Sequence, residues 1–86
     1  MMTGRRIYPE NVAVFKNGDY GKINGEWIVK TPNGLMCSIR NHRVIENDDR
    51  TITVSPSILV KGTNYPESKD VLSWHGFLEK GEWREA

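Results

Sequence analysis

The residues of this chain that could do chemistry gather towards its end. Leu72-Ser73-Trp74-His75-Gly76-Phe77-Leu78 sets a tryptophan beside a histidine, and Ser55-Pro56-Ser57 lies upstream of it. A serine within reach of an imidazole is the smallest unit of an activated hydroxyl. A working nucleophile also needs a group that orients the imidazole, and no acid stands where a familiar triad would put one. The strained G-x-S-x-G elbow is absent as well. The soft and imidazole ligands for a metal are Cys37, His42 and His75. A structural zinc site takes four ligands, usually with a local pair such as C-x2-C or H-x3-H. Cys37 and His42 do not make such a pair, and a carboxylate such as Asp70 would have to complete the set. Cys37 alone reads as a small buried hydrophobe. The chain is therefore expected to be no enzyme and to hold no metal or cofactor.

Anion binding asks for less. There is no P-loop and no dinucleotide fingerprint. Small β domains nevertheless hold nucleotides by stacking a base on an aromatic ring and meeting phosphate with Arg, Ser and backbone N–H groups. Trp74, Tyr65, His75 and Phe77 supply rings; Arg40, Arg43, Lys61, Ser55 and Ser57 supply donors. The predicted ligand site is Trp74, His75, Ser57, Arg40, Arg43 and Tyr65. In it Trp74 or Tyr65 stacks, and Arg40, Arg43, Ser57 and His75 meet the charge. Strand alternation sets a competing role for the first of these. It places Leu72, Trp74 and Leu78 on one face and Ser73, His75, Phe77 and Glu79 on the other. Trp74 then anchors a core, and His75 faces out beside Phe77.

The elements that must position these residues read as strands. Asn17-Gly18, Asn24-Gly25, Asn33-Gly34 and Lys80-Gly81 separate short runs, and Asn-Gly suits the tight primed turns that join antiparallel strands. Asn47-Asp48-Asp49-Arg50 makes a longer turn. Leu35, Cys37 and Ile39 share one face against Met36, Ser38 and Arg40. Ile52 and Val54 point inward, and the continuous run Ile58-Leu59-Val60 predicts a strand buried on both faces. Only residues 10–15, after Pro9, approach a helical pattern, and they are too short and β-branched to insist on. The predicted fold is all-β, a small antiparallel meander of about seven short strands closed into a compact barrel or sandwich. Residues 1–6 are expected to be a disordered start and 7–86 a single β domain. The long connection from Lys61 to Asp70 breaks the hairpin rhythm and is expected to cover the site.

Eighty-six residues bury a thin core, and one cysteine excludes an internal disulfide, so self-association into a homo-oligomer is expected. A lone cysteine and the lack of an apolar leader fit a reducing cytoplasm, with no membrane role. Twelve basic and eleven acidic residues leave a formal charge of +1, which argues against a general nucleic-acid binder. The bases nonetheless crowd the first half. Asn24-Gly25-Glu26-Trp27 and Lys80-Gly81-Glu82-Trp83 share a G-E-W core, read as convergent turn chemistry and not as a repeat.

Thr53-Val54-Ser55-Pro56-Ser57-Ile58 followed by Trp74-His75-Gly76-Phe77-Leu78 and Gly81 resembles a family of small uncharacterised phage and prophage proteins. Their pattern is T-x-x-P-S-I, a variable loop, then [WC]-H-[GS]-[FWY]-[IL]-x-x-G. The resemblance covers the chain from about Trp27 to Ala86. Longer members carry a further Cys- and His-bearing segment that has no counterpart here, which weakens a metal reading. The family has no established activity; the resemblance implies a phage accessory protein in a bacterial host cell. The expected function is non-enzymatic binding, of a small anionic, nucleotide-like ligand or of a host defence protein. A virion structural component and a small metal-dependent hydrolase are the alternatives.

Overall fold

Left-handed backbone divides the chain into hairpins. Asn24 and Gly25 take φ of 52° and 80°, and Lys80 and Gly81 take 48° and 76°, so both pairs make the type of turn whose twist matches antiparallel strands. The computed structural model describes residues 2–61 and 73–86. Its strands are β1 (Met2–Thr3), β2 (Arg5–Arg6), β3 (Asp19–Ile23), β4 (Glu26–Lys30), β5 (Met36–Ser38), β6 (Arg43–Glu46), β7 (Ile52–Ser55), β8 (Ile58–Lys61), β9 (Ser73–Glu79) and β10 (Glu82–Glu85). One turn of 3-10 helix, Val12–Val14, lies in the segment that came nearest to a helical pattern. Asn11 caps it by accepting a hydrogen bond from the Ala13 N–H at 2.9 Å. Among the described residues, no helix is long and apolar enough to cross a membrane.

The fold is all-β. One four-stranded sheet runs β1-β10-β9-β8, a second runs β2-β3-β4-β5, and β6 and β7 form a hairpin of their own. All pairings are antiparallel except β2 with β3. Residues 2–6, expected to be disordered, form two short strands, Met2–Thr3 and Arg5–Arg6, joined at Gly4. They leave one sheet at the Met2–Trp83 pairing and enter the other at Arg5–Asp19. What holds them is chemical. Asp19 is buried, and the Arg5 guanidinium donates to both its oxygens at 3.2 and 2.9 Å. A buried carboxylate needs such a partner.

Tyr20, Val29, Ile39, Ile52, Val54, Ile58, Trp74, Leu78 and Trp83 form one core cluster drawn from both sheets and the β6–β7 hairpin. Burying each large apolar side chain favours folding by about 1.5–3 kcal/mol. Trp74 meets Trp83 edge to face, with ring centroids 5.2 Å apart and planes at 85°, an arrangement worth about 0.5–1.5 kcal/mol beyond burial. Ile52 and Val54 point inward as the alternation predicts. The run Ile58-Leu59-Val60 is not buried on both faces: Ile58 is buried, but Leu59 is 55% exposed. The reason is the face, because Leu59 pairs with His75 on β9 and both side chains lie on the exposed side of the sheet. The expected cover over the site, the connection beginning at Lys61, lies outside the described residues after Lys61 itself.

Candidate functional site

Strand β9 sorts the Trp-His pair as its alternation requires. Trp74, Gly76 and Leu78 are buried, while Ser73, His75 and Glu79 are exposed. Trp74 is 6% exposed, and its ring folds over Gly76, where a side-chain carbon would collide with the ring and with the Arg84 carbonyl. His75 pairs with Leu59 on β8, and its own carbonyl accepts the Ala86 N–H at 3.0 Å.

The residue that His75 meets is Ser57, half-buried in the short link between β7 and β8. The His75 Nε2 lies 3.0 Å from the Ser57 hydroxyl oxygen. A second imidazole reaches the same residue, with the His42 Nε2 3.2 Å from the Ser57 carbonyl oxygen. A carbonyl only accepts, so His42 donates through an Nε2–H, and neutral His42 carries its proton there. Its Nδ1 is then a bare acceptor, and it is buried without a hydrogen-bond partner among the described residues. Two imidazoles therefore converge on one serine, one at its side chain and one at its backbone.

His42 is held by the link from β5 to β6. Ile39 extends the pairing of β4 by donating to the Trp27 carbonyl at 3.1 Å, and the chain then turns so that the His42 N–H meets the Ile39 carbonyl at 2.9 Å. Arg40 projects from this turn, exposed. Arg43 opens β6 opposite Ser55, also exposed. On the other side of His42 is a cleft of about 420 Å³ between this turn and the β3–β4 hairpin, whose lining includes Glu26, Trp27, Ile39, Arg40, His42 and Val44. Trp27 is half-buried there. The Arg6 guanidinium lies 4.6 Å from its ring centroid and the Lys22 ammonium 5.1 Å. Arg6 also sits 5.2 Å from the Tyr8 ring and donates to the Arg50 carbonyl at 3.1 Å. Both cations meet Glu46, at 3.8 and 3.4 Å. At the same hairpin the Ser38 hydroxyl donates to the Glu26 carboxylate.

Of the residues predicted to share a site, the structure joins Ser57 to His75 and sets Arg43 opposite the neighbouring Ser55. Arg40 lines the cleft that His42 shares. Trp74 is separated from His75 by the sheet, so the two adjacent residues serve opposite faces. Tyr65 lies outside the described residues. The structure adds His42 and Trp27 to this neighbourhood. Nothing in the spacing of His42 ties it to Ser57, and nothing local in sequence sets Trp27 beside His42. Among the described residues, no three His, Cys, Asp or Glu side chains gather where they could hold a metal ion. Asp70, the suggested fourth ligand, lies outside them. Burial raises the Cys37 thiol above its ordinary range, which keeps it a thiol at neutral pH. No family model, curated protein or solved structure matches the chain.

Proposed function

We propose that this chain is a non-enzymatic binding protein that takes a small anionic ligand at the corner where His42 and His75 meet Ser57. The observation that carries the reading is the double contact of two imidazoles with one serine. The Ser57 hydroxyl can turn to donate to an anion, and Arg40 and Arg43 stand in the flanking segment with their charge exposed. The setting attached to the proposal, a bacteriophage accessory protein in the host cytoplasm acting on a nucleotide signal or a host defence protein, rests on the sequence resemblance. Self-association belongs to the same proposal.

Native mass spectrometry of the protein purified from bacterial cells tests both parts at once. The expected result is an oligomer with a retained mass of a few hundred daltons per site. That mass should disappear in His75→Gln, an exposed substitution that leaves the core intact. Retention of the ligand at full occupancy in His75→Gln removes this corner from consideration, and a chain that stays bare and monomeric overturns the proposal.

A further inference from the structure

We infer that the ligand of this corner is a nucleotide, with its base against Trp27 in the cleft beside His42 and its phosphate at His42, Ser57 and His75. The inference rests on the proposed anion site and adds the class of molecule that fills it. The argument begins with the tryptophans. Trp83 and Trp74 are 1% and 6% exposed and pack on each other, so neither offers a free ring face for a base. Trp27 is the tryptophan left half-buried, and it shares its cleft with His42.

Three features suit this cleft to a flat anion. Its volume of about 420 Å³ falls within the range of small-molecule sites, about 300–1,000 Å³. Its walls divide by chemistry, with Trp27, Ile39 and Val44 apolar and Asn24, Glu26, Arg40 and His42 polar; the Glu26 carboxylate is engaged by the Ser38 hydroxyl. The Trp27 ring is held in place by Arg6 and Lys22, so stacking a base on it immobilises little that is not already fixed. His42 is the hinge of the arrangement, because it lines the cleft and also bonds Ser57. A molecule with a ring at one end and a phosphate at the other spans these two places. A bare phosphate uses only the second. Stacking on an aromatic ring is tolerant of base identity, so the site is expected to accept all four bases and to discriminate by the presence of a base.

The test is a titration of the nitrogen-15-labelled protein with the four nucleoside 5′-monophosphates and, separately, with inorganic phosphate. The indole N–H signals of Trp27, Trp74 and Trp83 and the imidazole signals of His42 and His75 are followed. Each monophosphate is expected to move Trp27 together with both histidines, and inorganic phosphate to move the histidines alone. Trp27→Leu is expected to weaken the monophosphates by about tenfold and to leave phosphate unchanged, with the Trp83 indole showing that the variant is folded. Arg40→Gln, at an exposed position, supplies a second variant and is expected to weaken the monophosphates severalfold. If the histidines respond equally to phosphate and to monophosphates while Trp27 stays still, the nucleotide inference falls and the anion site stands. If neither probe moves His42 or His75, the anion site falls and takes the inference with it.

Discussion

The chain builds the same hairpin twice and gives the two copies opposite fates. In each, a turn of two positive-φ residues ending in glycine is followed by Glu-Trp, and the tryptophan sits at the same register position after the turn. Trp83 is buried and donates its N–H to the Gly18 carbonyl at 2.9 Å. Trp27 stays half-buried under two cations. The difference lies across the strand. Trp83 stands opposite Leu78, which is fully buried, and has Met2 of β1 on its other side. Trp27 stands opposite Lys22. A turn motif thus specifies the hairpin, while the residue across the strand and the segment that covers it decide whether the aromatic becomes core or surface.

The sharpest way to break this comparison is to remove each ring in turn. Trp83→Ala is expected to cost about 3–5 kcal/mol, the usual range for deleting a large core aromatic, and to leave the Gly18 carbonyl with the Arg5 N–H as its remaining donor. Trp27→Ala loses two cation–π contacts, with largely buried Arg6 and exposed Lys22, each of about 0.5–1 kcal/mol, with modest apolar packing, and should cost about 2 kcal/mol. Equilibrium urea unfolding of both variants measures the gap. Equal losses would mean that Trp27 is as much a core residue as Trp83, and the argument for its availability to a ligand would go with it.

The turn glycines make a second contrast with a smaller expected effect. Gly25 and Gly81 both lie at positive φ, so alanine at either is strained by about 1–2 kcal/mol. Around Gly25 a new side-chain carbon would meet nothing within 4 Å. At Gly81 it would lie 2.8 Å from the Tyr20 hydroxyl oxygen and 2.9 Å from a Thr51 methyl carbon. Gly81→Ala should therefore exceed Gly25→Ala by about 1–2 kcal/mol, the usual cost of overpacking. Thermal denaturation followed by circular dichroism resolves a difference of that size. Identical melting points would show that the packing around β9 and β10 yields more easily than its burial implies.

The sequence makes the hairpins legible because Asn24-Gly25 and Lys80-Gly81 act through their own backbone preferences, and period-two patterns need only local order. Trp74 inward and His75 outward follow from the same rule. What local pattern does not carry is pairing at long range. Residues 2–6 look like a free end because nothing near them in sequence says that Arg5 will find buried Asp19. Leu59 looks buried because an apolar run does not state that only one face of its sheet is covered. The candidate site shares this limit. Ser57 and His75 were named together, but His42 joins them only through the turn that follows Ile39, and Trp27 becomes relevant only once the cleft beside His42 exists. Trp74 drew attention as a stacking residue because of its neighbour, yet adjacent residues on a strand face opposite ways.

The smallest effect concerns the first residue of each turn, where the two hairpins differ in sequence and not in shape. Asn24 and Lys80 take nearly the same positive φ, 52° and 48°. Asparagine enters this region readily, whereas lysine has no local hydrogen bond to favour it. Lys80→Asn should accordingly stabilise the protein by about 0.5 kcal/mol, and Asn24→Lys should destabilise it by a similar amount. The Lys80 backbone N–H still reaches the Thr53 hydroxyl at 3.0 Å, since that bond does not depend on the side chain, so the gain should not be offset by a lost contact. The double swap is the informative variant. With the two residues exchanged its stability should return to within about 0.3–0.5 kcal/mol of the parent, because distant independent sites add. A double swap well outside that window would mean that the two hairpins are coupled through the core, and that the exposure of Trp27 and the burial of Trp83 are set jointly.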